Sequence, residues 1–264
     1  MPLIDSHAHP LRVWKSGQLA AWINRAQAAG VEGVIAIGTQ LEDWSVYRDL
    51  SQTSPHFFRH TVGLHPCYVD ESWEDAVTAL APYFADRTRP VALGEIGLDY
   101  FHLPKDPQAA QQLQQWQQEA FKRQLNLAYQ LQVPVVIHSR NAFADCVQLI
   151  DQSGVAWSQV VFHCFVEGPA EIQQVLARGG RGSFTGIITY PKAEAVRLAL
   201  QAQGIERLML ETDSPYLSPQ SVRSAENEPS HLPEIAQKAA DLLGVSLAEL
   251  TQRTSENTKA FYGW

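Results

Sequence analysis

Cysteine is scarce. The chain of 264 residues has three, Cys67, Cys146 and Cys164, widely spaced and never in a CxxC pair. That excludes a disulfide framework and a zinc ribbon. Long apolar runs are missing too, since none approaches the roughly 18 residues of a membrane span. The first seven residues have neither the charged region nor the apolar core of a secretory leader. The expectation is a soluble, cytoplasmic protein with no membrane partner and no obligate protein partner. Basic charge is in deficit: 20 Lys and Arg stand against 28 Asp and Glu, a formal net charge of -8. This excludes the broad basic face of a general nucleic-acid binder. It leaves room for a small site in which bound cations supply the positive charge. No linker, charge block or composition shift divides the chain, so residues 1–264 are expected to form a single domain.

What is present is a rhythm. Short apolar runs at 2–6, 31–38, 58–64, 91–95, 133–137, 159–162, 182–189 and 208–211 read as eight strands. Between and after them lie stretches of helical composition at 19–29, 41–51, 73–84, 107–131, 142–152, 169–178, 192–203, 231–243 and 246–262. The glutamines of 107–131 read as a solvated helix face. Strand–helix alternation argues for a parallel sheet. Eight units in a chain close to the roughly 250 residues of a (β/α)8 barrel predict a TIM barrel. The irregular stretch 214–230, after the eighth strand, belongs to the loop face where barrel sites are built.

The stretch Val91-Ala92-Leu93-Gly94-Glu95-Ile96-Gly97-Leu98-Asp99-Tyr100 organises the chemistry. Alternation from Val91 puts Leu93 and Glu95 on one face, with Glu95 at the strand end. A carboxylate there is costly without a cationic partner. Other metal-type side chains fall at equivalent places. His7 and His9 share a face after strand one, His138 and His163 end strands five and six, and Asp213 follows strand eight. Four imidazoles and two carboxylates are too many for one open zinc site. They fit two metals that share a bridging carboxylate, and Glu95, midway round the barrel, is the best bridge. Each residue alone has a bland alternative as a core histidine, strand cap or ion pair. The joint pattern does not.

Asp5-Ser6-His7-Ala8-His9, Gly63-Leu64-His65-Pro66, Gly94-Glu95-Ile96-Gly97-Leu98-Asp99-Tyr100, His138-Ser139-Arg140, His163-Cys164-Phe165, Glu211-Thr212-Asp213-Ser214-Pro215 and Asn227-Glu228-Pro229 occur in that order. This series resembles the motifs of the TatD-like metal-dependent deoxyribonuclease family over almost the whole chain. The resemblance implies a TIM barrel, two divalent metals and hydrolysis of phosphodiester bonds, with single-stranded DNA ends as a substrate. It implies that His7, His9, Glu95 and Asp213 hold one metal, and Glu95, His138 and His163 the other. Zn, Mn, Mg, Co or Ni would suit such ligands. Glu95 and Asp213 are then the catalytic carboxylates, Asp213 orienting the attacking water or taking its proton. His65, Arg140 and Arg223 are candidates to hold substrate phosphate. Glu211 and Asp99 are candidates to orient ligand imidazoles from behind. The chain departs from the family pattern at Asn141, at Val166-Glu167 and at Ser224-Ala225-Glu226. These changes spare the ligands, and those at Val166-Glu167 and Ser224-Ala225-Glu226 remove basic charge or add acid near the mouth.

Two other functions compete. An amidohydrolase of a small amide, lactone or phosphoester would share the barrel, but many bridge their metals with a lysine from strand four. Here that place is Glu95, and no lysine ends a strand. A non-catalytic protein with structural metal would be expected to use cysteine in a closed site, and the cysteines lack the spacing.

Overall fold

Valine and isoleucine crowd the short runs, and β-branched side chains suit strands buried on both faces. In a computed structural model describing residues 3–264, these runs form eight parallel strands in one sheet, ordered β1 to β8. They are β1 (Leu3–Ala8), β2 (Val31–Ala36), β3 (Phe58–Val62), β4 (Ala92–Asp99), β5 (Val135–Arg140), β6 (Val160–Phe162), β7 (Arg181–Phe184) and β8 (Met209–Leu210). The expected start of the first strand at Pro2 lies outside the described residues. The helices are α1 (Leu11–Lys15), α2 (Leu19–Ala28), α3 (Leu41–Thr53), α4 (Trp73–Thr78), α5 (Ala81–Phe84), α6 (Pro107–Leu131), α7 (Phe143–Ser153), α8 (Pro169–Arg178), α9 (Glu194–Gln203), α10 (Leu232–Leu243) and α11 (Leu247–Tyr262). The architecture is a TIM barrel. No helix among the described residues is long and apolar enough to cross a membrane.

Two apolar layers hold it together. Ile35, Ala92, Val136, Val161 and Met209 meet inside the barrel, where Phe261 and Tyr262 from the end of α11 join them. Val34, Leu93, Ile96, Val135, Phe162, Phe184 and Leu210 face the other way, into the layer beneath the helices. Trp264 packs beside the inner cluster, and Gly33 makes room for it: a Cβ there would lie 2.0 Å from the indole.

The barrel closes at its most irregular seam. The segment that follows β8 meets the end of β1 through a parallel bridge, Ala8 to Ser214. Around it, Asp213 N donates to His7 O at 2.9 Å and His9 N donates to Ser214 O at 2.7 Å. Asp5 completes the stitch by accepting from Thr212 N at 2.9 Å and from the Thr212 hydroxyl. Two residues of each site segment are thus fixed by the closure itself.

Several elements differ from expectation for identifiable reasons. The stretch 73–84 breaks into α4 and α5, with Pro82 in the first turn of the second helix. β7 stops at Phe184 because the Thr185 hydroxyl accepts from Ile187 N at 3.3 Å and starts a 3₁₀ turn over Gly186–Thr189. Helix α1 was not anticipated. The glutamines of α6 are not all solvated. Gln117 and Gln124 are buried and tie the helix to the strand ends. Gln124 accepts from Leu64 N at 2.8 Å and Gln117 accepts from Asp99 N at 3.0 Å.

The main correction concerns β4. It does not end at Glu95 but runs four residues further, to Asp99. Strict alternation would place Glu95 with Leu93, and Leu93 faces the helices. The register against β5 slips between Leu93 and Ile96, within which the Gly94–Glu95 peptide is cis. The slip turns Glu95 inward and leaves Ile96 and Leu98 in the outer layer. Just beyond the slip, Gly97 lets β4 run close against β5. Its φ is +142° and an added Cβ would lie 2.0 Å from His138 O on β5.

Candidate metal centre

Glu95 is the hub. It is 3% exposed, and its two carboxylate oxygens face two different groups of side chains. Toward Oε2 stand His7 Nε2 at 3.3 Å and His9 Nε2 at 3.6 Å. Asp213 Oδ1 lies 3.6 Å from His7 Nε2 and 3.3 Å from His9 Nε2. Toward Oε1 stand His163 Nε2 at 2.7 Å, His138 Nδ1 at 2.9 Å and His65 Nε2 at 3.2 Å. Seven residues from six segments of the chain thus meet at the carboxyl-end rim. All six side chains expected to hold metal are among them.

What lies behind each imidazole decides which nitrogen can face a cation. His9 Nδ1 is 3.1 Å from Ile37 O, which fixes the proton there and leaves the Nε2 lone pair for the site. His138 Nε2 is 3.0 Å from Asp99 Oδ2, which leaves Nδ1 free toward Glu95. His163 Nδ1 faces Glu211 Oε1 at 3.3 Å, an ion-pair contact not directed as a hydrogen bond, and its Nε2 faces Glu95. His65 is the opposite case. Its Nδ1 accepts from Cys67 N at 3.0 Å, so its Nε2 carries a proton and faces the site as a donor.

Asp99 and Glu211 therefore stand where orienting carboxylates were expected. Glu211 is buried and accepts from Cys164 N at 2.7 Å and from the Ser183 hydroxyl at 2.5 Å. No Lys or Arg pairs with it among the described residues; its charged neighbour is His163. Asp99 Oδ1 accepts from Phe101 N at 3.0 Å and from His102 N at 2.9 Å, so its other oxygen is held toward His138.

The electrostatics agree with a cation site. Burial alone would raise the Glu95 carboxyl, but the charge of His163 and the close approach of the His138 and His163 imidazoles hold it well below the usual range. Burial likewise pulls His163 down, and the Glu95 charge reverses that and holds its imidazole well above its ordinary value. Burial pushes Asp213 up, and the approach of His9 with the charges of His7 and His163 brings it down. Protons on imidazoles here balance carboxylates, which is the balance a metal would supply. One atom shows the mismatch. Among the described residues, buried Asp213 Oδ1 accepts no hydrogen bond, since the 3.3 Å approach of His9 is not directed as one. Such a buried acceptor is costly without a partner. The donor set fits a divalent metal.

The two arginines lie farther out. Arg140 stacks over the Phe101 ring at 4.6 Å from its centroid, and Arg223 over Tyr190 at 4.1 Å. Neither forms an ion pair among the described residues, so their charge is not spent on a surface salt bridge. Exposed Tyr68 and Tyr216 flank the metal side chains, with ring centroids 6.0 Å from His65 and 6.2 Å from His9. A cleft of about 300 Å³ opens beside His9, lined by Arg12, Trp22, Arg25 and Asn227. Sequence reasoning missed Asp5, Cys67 and His102 as parts of this region. Asp5 had a signal, the position two residues before His7, but its partner Thr212 is distant in sequence.

A buried carboxylate ringed by correctly oriented imidazoles, at the loop end of a barrel, is the arrangement of a metal-dependent hydrolase. Comparison with known proteins makes the class specific. Residues 4–263 match the family model described as TatD related DNase. The metal-dependent hydrolase YcfH of Escherichia coli (strain K12) is 33% identical over 97% of this chain and 94% of its own. The 3'-5' ssDNA/RNA exonuclease TatD of Citrobacter rodentium is 34% identical over 91% of this chain and 90% of its own. The crystal structure of YjjV, a TatD homolog from E. coli K12, superposes with a TM-score of 0.90 at 26% identity, covering 99% of this chain and 98% of the other. The chain belongs to the TatD-related DNase family. It is a metal-dependent hydrolase.

Proposed function

We propose that this protein, as one catalytic domain over residues 1–264, hydrolyses phosphodiester bonds at single-stranded nucleic-acid ends with two divalent metals. The observation that carries this reading is the division of Glu95: one oxygen toward His7, His9 and Asp213, the other toward His138 and His163. His7, His9, Glu95 and Asp213 would hold one metal, and Glu95, His138 and His163 the second. When bound, such a pair polarises the phosphoryl oxygen, lowers the pKa of a water and offsets charge on the leaving oxygen. Imidazole and carboxylate donors suit Zn, Mn, Co or Ni, and Mg less well.

The chain's own groups do the rest. Asp213 orients the attacking water and takes its proton, and its net-lowered pKa keeps it ionised to do so. His65, with its proton on Nε2, donates to the substrate phosphate, and Arg140 and Arg223 grip phosphates farther along the strand. Exposed Tyr68, Phe101 and Tyr216 offer stacking faces for unpaired bases. Because the protein is acidic overall, this rim of a few cations and rings suits a strand end better than a long duplex. The names of the TatD relatives, which act on ssDNA and RNA, support the same substrate class. Three free cysteines suit a reducing compartment, and we place the protein in the cytoplasm.

The test is to strip the protein of metal and reload it with Mn²⁺, Zn²⁺, Co²⁺ or Mg²⁺. End-labelled single-stranded DNA, a bis-nitrophenyl phosphodiester and a panel of lactones are then assayed. Metal-dependent cleavage of both phosphodiesters is expected. Turnover of lactones alone would replace this reading with a small-molecule amidohydrolase.

A further inference from the structure

Beside the rim lies a second cluster, of which the hydrolytic site uses only Asp99, behind His138. Cys67 Sγ is 3.5 Å from Asp99 Oδ2 and 3.8 Å from His102 Nδ1, and His102 Nδ1 is 2.9 Å from Asp99 Oδ2. Tetrahedral zinc, with bonds of about 2.3 Å to sulfur and about 2.0 Å to nitrogen or oxygen, sets its ligands roughly 3.3–3.6 Å apart. The three separations bracket that spacing. Asp99 is fixed in advance, because two backbone N–H groups occupy its Oδ1 and aim Oδ2 at the cluster. Cys67 is exposed and His102 is 57% exposed, so a fourth position opens to water.

We propose that Cys67, Asp99 and His102 form a third divalent-cation site, separate from the pair at Glu95, that selects zinc. Thiolate with imidazole suits Zn²⁺ and disfavours Mg²⁺ and Mn²⁺, which prefer oxygen. On binding, the Cys67 thiol gives its proton to solvent and its sulfur becomes a ligand. The site is coupled to the hydrolytic rim through one atom, since Asp99 Oδ2 is also 3.0 Å from His138 Nε2. A cation there ties down the carboxylate that holds the His138 ring.

The experiment counts metal in the full-length protein. Wild type, Cys67→Ser and His102→Asn are loaded with Zn²⁺, freed of excess metal and measured by mass spectrometry. Each variant is expected to hold one equivalent fewer than wild type. With Co²⁺ in place of Zn²⁺, wild type is expected to show thiolate-to-cobalt charge-transfer absorption that Cys67→Ser loses; Cys146 and Cys164 remain in both proteins. With Mn²⁺ or Mg²⁺ the three proteins are expected to match. The difference between proteins reports only this site, so it stands whether or not two metals bind at Glu95. Equal zinc content in wild type and both variants, or cobalt absorption unchanged in Cys67→Ser, overturns the proposal.

Discussion

Glu95 contributes both of its oxygens to the site, so it has no conservative substitute. Glu95→Gln keeps the shape and removes the charge that His163 and His138 face. Such a variant should bind fewer metal ions and lose about a thousand-fold in phosphodiesterase kcat/KM, several kcal/mol of transition-state stabilisation. Metal analysis beside a bis-nitrophenyl phosphodiester assay checks it. Asp99→Asn should act more gently, lowering metal affinity by about 10- to 100-fold, because it loosens His138 without removing a ligand. Away from the rim, His60 has 1% exposure, and burial lowers its pKa to about 4 from an ordinary 6.5. The unfolded chain therefore takes up this proton first as pH falls. The stability due to neutral His60 is complete above about pH 6.5, is lost toward pH 4 and changes no further below that. The loss is on the order of 3 kcal/mol. Urea midpoints of wild type should drop across that window, and those of His60→Gln should drop less. At this scale the candidate ligands were legible, because imidazoles and carboxylates next to apolar runs are conspicuous. His102 was not, since Cys67 reaches it and Asp99 only through the fold of the loop after β3.

At the scale of elements, β4 shows where pattern reading fails. The apolar run predicted a strand, and a strand formed. Its length and facing were set by pairing with β5, through the slip between Leu93 and Ile96. Gly97→Ala tests this directly. A methyl group 2.0 Å from His138 O must push β4 and β5 apart. The expected cost exceeds about 2 kcal/mol, with metal affinity falling in step because His138 moves. A thermal melt with and without Zn²⁺ reads both. Helix α6 teaches the complementary lesson. It begins at Pro107 as expected, and the structure supplies the reason: Asp106 caps it by accepting from Ala109 N at 2.9 Å. That Gln117 and Gln124 turn inward was hidden, because a glutamine looks the same in sequence whether water or a strand end satisfies its amide.

For the whole molecule, the two ends of the barrel separate stability from chemistry. Phe261 and Tyr262 fill the end opposite the rim. Phe261→Ala should cost about 3–5 kcal/mol of stability while leaving metal content and kcat at moderate temperature nearly unchanged. Denaturant unfolding and a metal count would show it. Substitution at the rim should do the reverse. Arg140→Ala and Arg223→Ala are expected to raise KM for single-stranded DNA, and each to lower the salt dependence of binding by about one unit of slope. Hydrolysis of a small phosphodiester should hardly change. Binding titrations over a range of salt concentrations give that slope.

The sequence by itself determined the class of architecture, because strand–helix alternation and chain length leave few ways to bury so much apolar surface. It also determined which residues are metal-type ligands and that an acidic protein needs bound cations to meet phosphate. The tertiary structure decided what depends on distance between remote residues. That includes the inward turn of Glu95, the closure of β8 on β1 through Asp5 and Thr212, and the proton on His65 Nε2. It also includes the meeting of Cys67, Asp99 and His102. Composition and periodicity act along the chain, whereas the hydrogen bond that orients an imidazole is set across the barrel by packing.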